Sequence, residues 1–321
     1  MSSLLKIKKK NFFLILLIPL FFVFSLILLK FYILGDQKVY IELFKNLKQV
    51  TFSEILFSSS ENFYVNNFEK LTVLILWIGA KIGFDKNIYI SLLNLFLLSG
   101  IYLLGCKYKL SWFFIFLILT NFYVIVLMTG AERLKIAYIM IIFSTLLSRK
   151  ISFFLVIFSP FAHLQSLLIL FTIFTIQYYD KFSQFKISKK NFNYFLIGFI
   201  ISIIVINFFQ DLLLYKISAY IQIGGFENIF KPIALFIVGM IVTNNRKRMF
   251  LSIAPLVIAS YFLADIRLNM IITSFLVYLL MIEEKLNHPL MIIILVYFSI
   301  KSIPFIKNAI LTGNGFNGWL I

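Results

Sequence analysis

The sequence predicts an all-α, polytopic membrane protein of about 10–12 transmembrane helices with an outward-facing cavity, and three observations carry that expectation. Of 321 residues, 61% are hydrophobic and 18% aromatic, while 13% are charged and the mean hydropathy is +0.98. Soluble domains carry about 25% charged residues, so a water-soluble fold would have nowhere to put these side chains. The apolar stretches recur along the whole chain, which argues for a single integral membrane domain over 1–321 rather than a soluble domain with one anchor. The net charge of +17 comes largely from basic residues flanking apolar runs, a pattern of membrane orientation rather than of nucleic-acid binding.

The first span is read at 11–34, behind Lys6, Lys8, Lys9 and Lys10 and without a small-residue cleavage site. That pattern describes a retained helix with a cytoplasmic N-terminus. An outer loop follows over 35–87, polar as far as residue 70; its apolar part at 66–84 is short and interrupted by Lys81, and reads as an interfacial or re-entrant helix. Further spans are expected at 88–105, 110–128, 134–148, 151–162, 164–178, 192–209, 231–244, 249–264, 268–283 and 289–305, with a second outer loop at 210–230.

Parity supports leaving 66–84 uncrossed. Lys107 and Lys109, Arg149 and Lys150, Lys181 to Lys190, and Arg246 to Arg248 then share the cytoplasmic side, where the acids are Asp180, Glu283 and Glu284. Several spans hold about 12–16 residues and reach about 18–24 Å, less than the hydrocarbon core of about 30 Å. Such helices are tolerable beside a water-filled cavity, so an outward funnel bordered by 134–148, 151–178 and 268–283 is expected. Pro160, ahead of Ala162 and His163, marks a break into two half-helices, the alternative being one kinked helix.

Several chemistries drop out. Cys106 is the lone cysteine, and His163 and His288 are the two histidines, so no Cys/His cluster has metal-ligand spacing. No GxGxxG, Walker phosphate loop or GxSxG occurs. Neither a metal nor an organic cofactor is expected.

The candidate site residues are those that an apolar chain has least reason to carry. Arg133, in Gly130-Ala-Glu-Arg-Leu-Lys-Ile-Ala137, stands at the outer start of a span, and its guanidinium fork matches phosphate oxygens. The plainer reading pairs it with Glu132 or a lipid headgroup. Arg267, in Ala264-Asp-Ile-Arg-Leu-Asn269, has the same kind of position, with Asp265 as its plain partner. His163, in Ser159-Pro-Phe-Ala-His-Leu-Gln-Ser166, is a candidate general base or else a packed, hydrogen-bonded histidine. Asp36, Glu42, Glu61 and Glu69 supply outer carboxylates, and Tyr40, Tyr64, Tyr220 and Trp77 are aromatic groups able to stack on sugar rings or to sit at the interface.

The order of these features resembles a known group. Asp36-x-x-x-Tyr40 after a first span, Asn67-Phe68-Glu69 opening a short apolar helix, Arg133-Leu-x-Ile-Ala137, the Arg149-Lys150 pair, Phe161-Ala-His163-x-x-Ser166 and Arg267-Leu268 follow one another over about residues 12–285. The arrangement is similar to that of the EpsG and Wzy group of polysaccharide polymerases. Each motif is short, and the Arg133 to His163 block is the most specific. This chain has Glu69-Lys70 where those relatives often carry Glu-Pro, which leaves the role of Glu69 open.

The resemblance implies an enzyme of the bacterial inner membrane that joins undecaprenyl-pyrophosphate-linked oligosaccharide repeat units on the periplasmic face, into O antigen or a related surface polysaccharide. It implies Arg133 and Arg267 as a clamp on the departing pyrophosphate, His163 orienting or deprotonating the acceptor hydroxyl, and substrate contacts from Asp36, Tyr40, Glu69 and Tyr220. Expected partners are the lipid-linked oligosaccharides, membrane lipids, a chain-length regulator and a flippase, with no nucleic acid. A transporter of the same lipid-linked glycans is the alternative from another class, although no repeat relates residues 1–150 to 151–321. A membrane O-acyltransferase is a further alternative, but its histidine would be expected on an early span.

Overall fold

The computed structural model describes residues 2–57, 69–183, 229–262 and 266–316. Among these the regular structure is α-helical, with no strand. In chain order the helices are α1 (Ser2–Phe31), α2 (Asp36–Leu47), α3 (Phe52–Phe57), α4 (Lys70–Ile82), α5 (Lys86–Lys107), α6 (Trp112–Leu119), α7 (Phe122–Thr129), α8 (Glu132–Leu146), α9 (Arg149–Ala162) and α10 (Ser166–Ser183). They continue with α11 (Phe230–Val242), α12 (Arg246–Phe262), α13 (Ile266–Ile282) and α14 (Pro289–Thr312). The expected span 192–209 and nearly all of the loop 210–230 lie outside the described residues.

Membrane character shows in the helix surfaces. On α1, Phe13, Leu16, Leu20, Val23 and Ile27 face outward at helical spacing, while Phe21, Ser25, Leu28, Leu29 and Tyr32 at its inner side are buried. A helix that is apolar on its outer face too belongs in a non-aqueous solvent. By length and apolarity, α1, α5 and α14 can each cross a membrane, and α6 with α7 makes a fourth candidate bent by 47°. Among the described residues this is fewer than the expected number of crossings. The reason is length: α8 has 15 residues, α9 has 14 and α11 has 13, which at about 1.5 Å each falls short of a core of about 30 Å.

The chain divides into two compact units, one formed by residues up to Leu167 together with those from Met291 onward, the other by Leu168–Leu290. In the first unit α1 packs on α5, α5 on α8 and α8 on α9, so these helices follow one another side by side. On them rests an apolar core in which Leu43, Phe44 and Leu47 of α2 meet Val73, Leu76 and Ala80 of α4 and Ile90 of α5. The α4–α5 connection is tight: a Cβ on Gly79 would lie 2.5 Å from the Tyr89 ring, and Gly83 closes α4 at φ +89°. The Tyr89 hydroxyl donates to the Ile75 carbonyl at 2.6 Å and fixes that approach. Helix α14 is held by aromatic contacts of Phe305 with Tyr32 and Phe122, at 5.9 and 5.6 Å between ring centroids.

Two breaks shape the first unit. The expected span 110–128 is interrupted at Thr120–Asn121, because the Asn121 side chain accepts the Tyr123 amide at 2.9 Å and starts a new helix. The 151–178 stretch splits as expected, with α9 ending at Ala162, His163 extended and α10 starting at Ser166. Pro160 cannot donate to the Val156 carbonyl, and the Ser159 hydroxyl takes that place at 3.0 Å. In the second unit α11, α12 and α13 pack mutually. There Glu283 Oε2 accepts from the Thr243 hydroxyl and the Asn244 amide, both at 2.8 Å.

Candidate functional site

Three helix ends converge in the first unit. Glu69 is the residue before α4; its side chain makes no capping bond there and turns instead toward α8 and α9. Glycine and alanine at 130 and 131 end α7 and start α8, placing Arg133 in the first turn of α8. His163 is the extended residue that closes α9.

Glu69 joins the other two. Its Oε2 lies 2.5 Å from Arg133 Nη1, and its Oε1 lies 2.7 Å from His163 Nδ1 and accepts the Leu164 amide at 3.4 Å. A carboxylate only accepts, so Nδ1 carries the proton and donates. His163 Nε2 faces Gln165 Oε1 at 3.2 Å. Alongside, the Thr72 hydroxyl of α4 donates to the Ala162 carbonyl at 2.9 Å. Glu69 and His163 are buried, while the Arg133 side chain keeps 25% exposure. The guanidinium is thus the member of the group that a ligand can reach first.

Tyr40, buried on the inner face of α2, stands within electrostatic reach of Arg133. Burial holds its phenol well above the usual range, with the Arg133 guanidinium pulling the other way. It is therefore a neutral hydrogen-bonding group throughout the physiological range. Asp36, exposed at the first position of α2, adds a negative charge at that end of the helix.

A second polar network lies beside this one and escaped the sequence reading. Lys135, fully buried on α8, pairs with Glu132 Oε2 at 2.5 Å and donates to Asn94 Oδ1 at 2.7 Å. Glu132 Oε1 accepts from Gln37 Nε2 at 2.8 Å, and the Lys86 ammonium donates to Gln37 Oε1. Asn94 Nδ2 continues the chain to the Ser25 hydroxyl, which donates to Ser91. Glu132 is thereby committed to Lys135 and Gln37, and the plain pairing of Arg133 with Glu132 is replaced by Arg133 with Glu69. A lysine and an asparagine inside apolar runs were the available signal, since polar groups in such helices require partners.

The structure thus brings together Glu69, Arg133, His163 and Tyr40, with Asp36 one turn along α2. Arg267 is partly buried at the start of α13, in the second unit, while Asp265 lies outside the described residues. Tyr220, Glu61 and Tyr64 also lie outside them. Trp77 donates to the Val50 carbonyl at 2.8 Å and packs against Phe52, so it is engaged with α3 rather than presented to a sugar. Among the described residues no three His, Cys, Asp or Glu side chains converge as metal ligands.

The fold and this cluster define a helical membrane protein with a buried carboxylate that links a histidine to a partly exposed arginine. No family model, curated protein or solved structure matches the chain. Chemically, the group pairs an anion-binding guanidinium with an imidazole whose Nδ1–H is fixed by a carboxylate, an arrangement that suits proton transfer at Nε2 next to developing negative charge.

Proposed function

We propose that this protein is a membrane glycosyltransferase of the polysaccharide-polymerase type, joining undecaprenyl-pyrophosphate-linked oligosaccharide repeat units into a surface polysaccharide. It works in the inner membrane with its N-terminus in the cytoplasm and its reaction centre toward the periplasm. The observation that carries this reading is the Glu69 bridge, which unites Arg133 and His163 although Glu69 is 64 and 94 residues away from them in sequence. These residues belong to the motif series similar to the EpsG and Wzy group, and a bridging role accounts for Glu69 although no proline follows it.

In this mechanism an acceptor sugar hydroxyl enters beside His163 Nε2 and donates to its lone pair, a bond that Gln165 Oε1 cannot make because it too is an acceptor. The hydroxyl oxygen attacks the anomeric carbon of the donor and gives its proton to Nε2. The bond from that carbon to the diphosphate oxygen breaks, and the diphosphate leaves with the electron pair. Arg133 holds the charge that develops on it; charge-assisted contacts of this kind are about twice as strong as neutral ones. Glu69 keeps the imidazole in the tautomer whose Nε2 carries the lone pair, and stabilises the imidazolium that forms.

The test is complementation of a deletion strain with Arg133→Ala, His163→Ala and wild-type chains of equal membrane abundance. The expected result is a ladder of long glycans with wild type, and single repeat units on the surface glycolipid with either variant. Full ladders from both variants would contradict the reading. Loss of every repeat unit from the deletion strain's surface would instead point to the transporter.

A further inference from the structure

We propose that the Tyr32 hydroxyl, where the starts of α2 and α8 meet, is a contact for a sugar hydroxyl of the lipid-linked glycan, with Asp36 and Asn314 beside it. The inference rests on the reading of the site as one that takes a glycan diphosphate, and adds a sugar contact that no motif marked.

Gln37 ties the two helix starts together, donating to the Thr129 carbonyl and to Glu132 Oε1. Tyr32 stands at this junction. Its side chain is 2% exposed and its ring stacks on Phe305. Its hydroxyl nevertheless has no hydrogen-bond partner among the described residues and is not sealed from solvent. A buried phenol usually finds a partner, so one supplied by a ligand fits here.

Two glycines leave room beside that hydroxyl. A Cβ on Gly35 or on Gly130 would lie 3.4 Å from it, and the one other atom within 4 Å of the Gly35 position is Asn314 Oδ1, at 3.9 Å. The backbone demands glycine at 35, where φ is +62°. It makes no such demand at 130, where φ is −123°, and a methyl group there would meet its neighbours at ordinary contact distances of 3.4 Å and more. Glycine at 130 leaves the phenol uncovered.

The surrounding groups select a sugar over a phosphate. Asp36, exposed at the first position of α2, is the carboxylate that acts on Tyr32; it repels an anion and accepts from hydroxyls. Asn314 Oδ1 accepts the Phe316 amide at 3.1 Å, which makes Nδ2 the donor of that side chain. The place adjoins the proposed reaction centre. Gly130 is three residues before Arg133, so their Cα atoms are at most about 11 Å apart, and Tyr40, one turn beyond Asp36, stands within electrostatic reach of Arg133.

The full-length protein in lipid nanodiscs provides the test, with undecaprenyl pyrophosphate as one probe and the same carrier bearing the repeat unit, purified from the deletion strain, as the other. Tyr32→Phe keeps the ring against Phe305 and removes the hydroxyl. It is expected to weaken binding of the glycan-bearing lipid at least fivefold, to leave the bare lipid within twofold of wild type, and to leave the unfolding midpoint unchanged. Gly130→Ala, which covers the hydroxyl without removing it, is expected to give the same selective loss.

Unchanged binding of the glycan-bearing lipid by either variant overturns the proposal, as does equal weakening of both probes. A lowered midpoint for Tyr32→Phe overturns it too, since the hydroxyl would then serve the fold. If Arg133→Ala weakens both probes in the same experiment, the wider reading of the site stands whatever Tyr32→Phe does. Unchanged binding of both probes by Arg133→Ala overturns that wider reading.

Discussion

Replacing Glu69 by alanine probes the centre of the proposed site, because it removes the acceptor of three groups at once. Arg133 Nη1, His163 Nδ1 and the Leu164 amide all converge on its carboxylate, at 2.5, 2.7 and 3.4 Å. Truncating one partner of a buried ion pair costs about 3–5 kcal/mol, since the charge left behind is uncompensated. The 25% exposure of the Arg133 side chain lets water recover part of that, which puts Glu69→Ala near the lower end, about 3 kcal/mol. That corresponds to about two orders of magnitude in the unfolding equilibrium.

Glu69→Gln retains one oxygen and the side-chain shape, and loses about 1.5–3 kcal/mol, the range for hydrogen bonds to charged groups. Purified protein in micelles, titrated with denaturant and followed by helical ellipticity, gives both values. The double variant Glu69→Ala/Arg133→Ala is expected to lose less than the sum of the single losses, because neither charge is then stranded. An unfolding midpoint for Glu69→Ala equal to that of wild type would refute the reasoning, since it would mean the carboxylate bridges nothing that matters to the fold.

Lys135→Met strands the Glu132 carboxylate and is expected to destabilise the protein by about 3–5 kcal/mol, with Lys135→Met/Glu132→Gln recovering at least half of that in the same titration. Gly79→Ala forces a methyl against the Tyr89 ring and is expected to cost about 1–3 kcal/mol, lowering the unfolding midpoint. Polymerisation by washed membranes is expected to continue undiminished in excess chelator; loss of product restored by magnesium or manganese would show that the chemistry was misread.

The fold class was legible because lipid-facing and core-facing helix surfaces are both apolar here, and such a composition has no soluble solution. The break near His163 was legible too, since a proline in the last turn announces it. The bend at Thr120–Asn121 was not: neither residue is a helix breaker, and the interruption comes from one side-chain cap inside a strongly apolar run. Helix α14 likewise continues through Pro304 to Thr312, past the point where the apolar window ended.

At the site, Arg133, His163, Glu69 and Tyr40 stood out because charge, imidazole and phenol are conspicuous against so apolar a background. Their convergence could not be read from order alone, as it depends on α4 meeting both α8 and α9. Lys135, Asn94, Gln37 and Lys86 stayed hidden, and Glu132 was assigned to the wrong partner, for a related reason. Each looks like a flanking or solvated polar residue until the packing of α2, α5 and α8 buries them together.

The most direct measurement of the central claim is reconstitution of purified protein in liposomes with a defined undecaprenyl-pyrophosphate-linked repeat unit, followed by separation of products by length. Wild type is expected to release undecaprenyl pyrophosphate and build glycans of two or more units, while folded His163→Ala and Arg133→Ala proteins leave the repeat unit intact. Glycans of equal length from wild type and both variants would contradict the account.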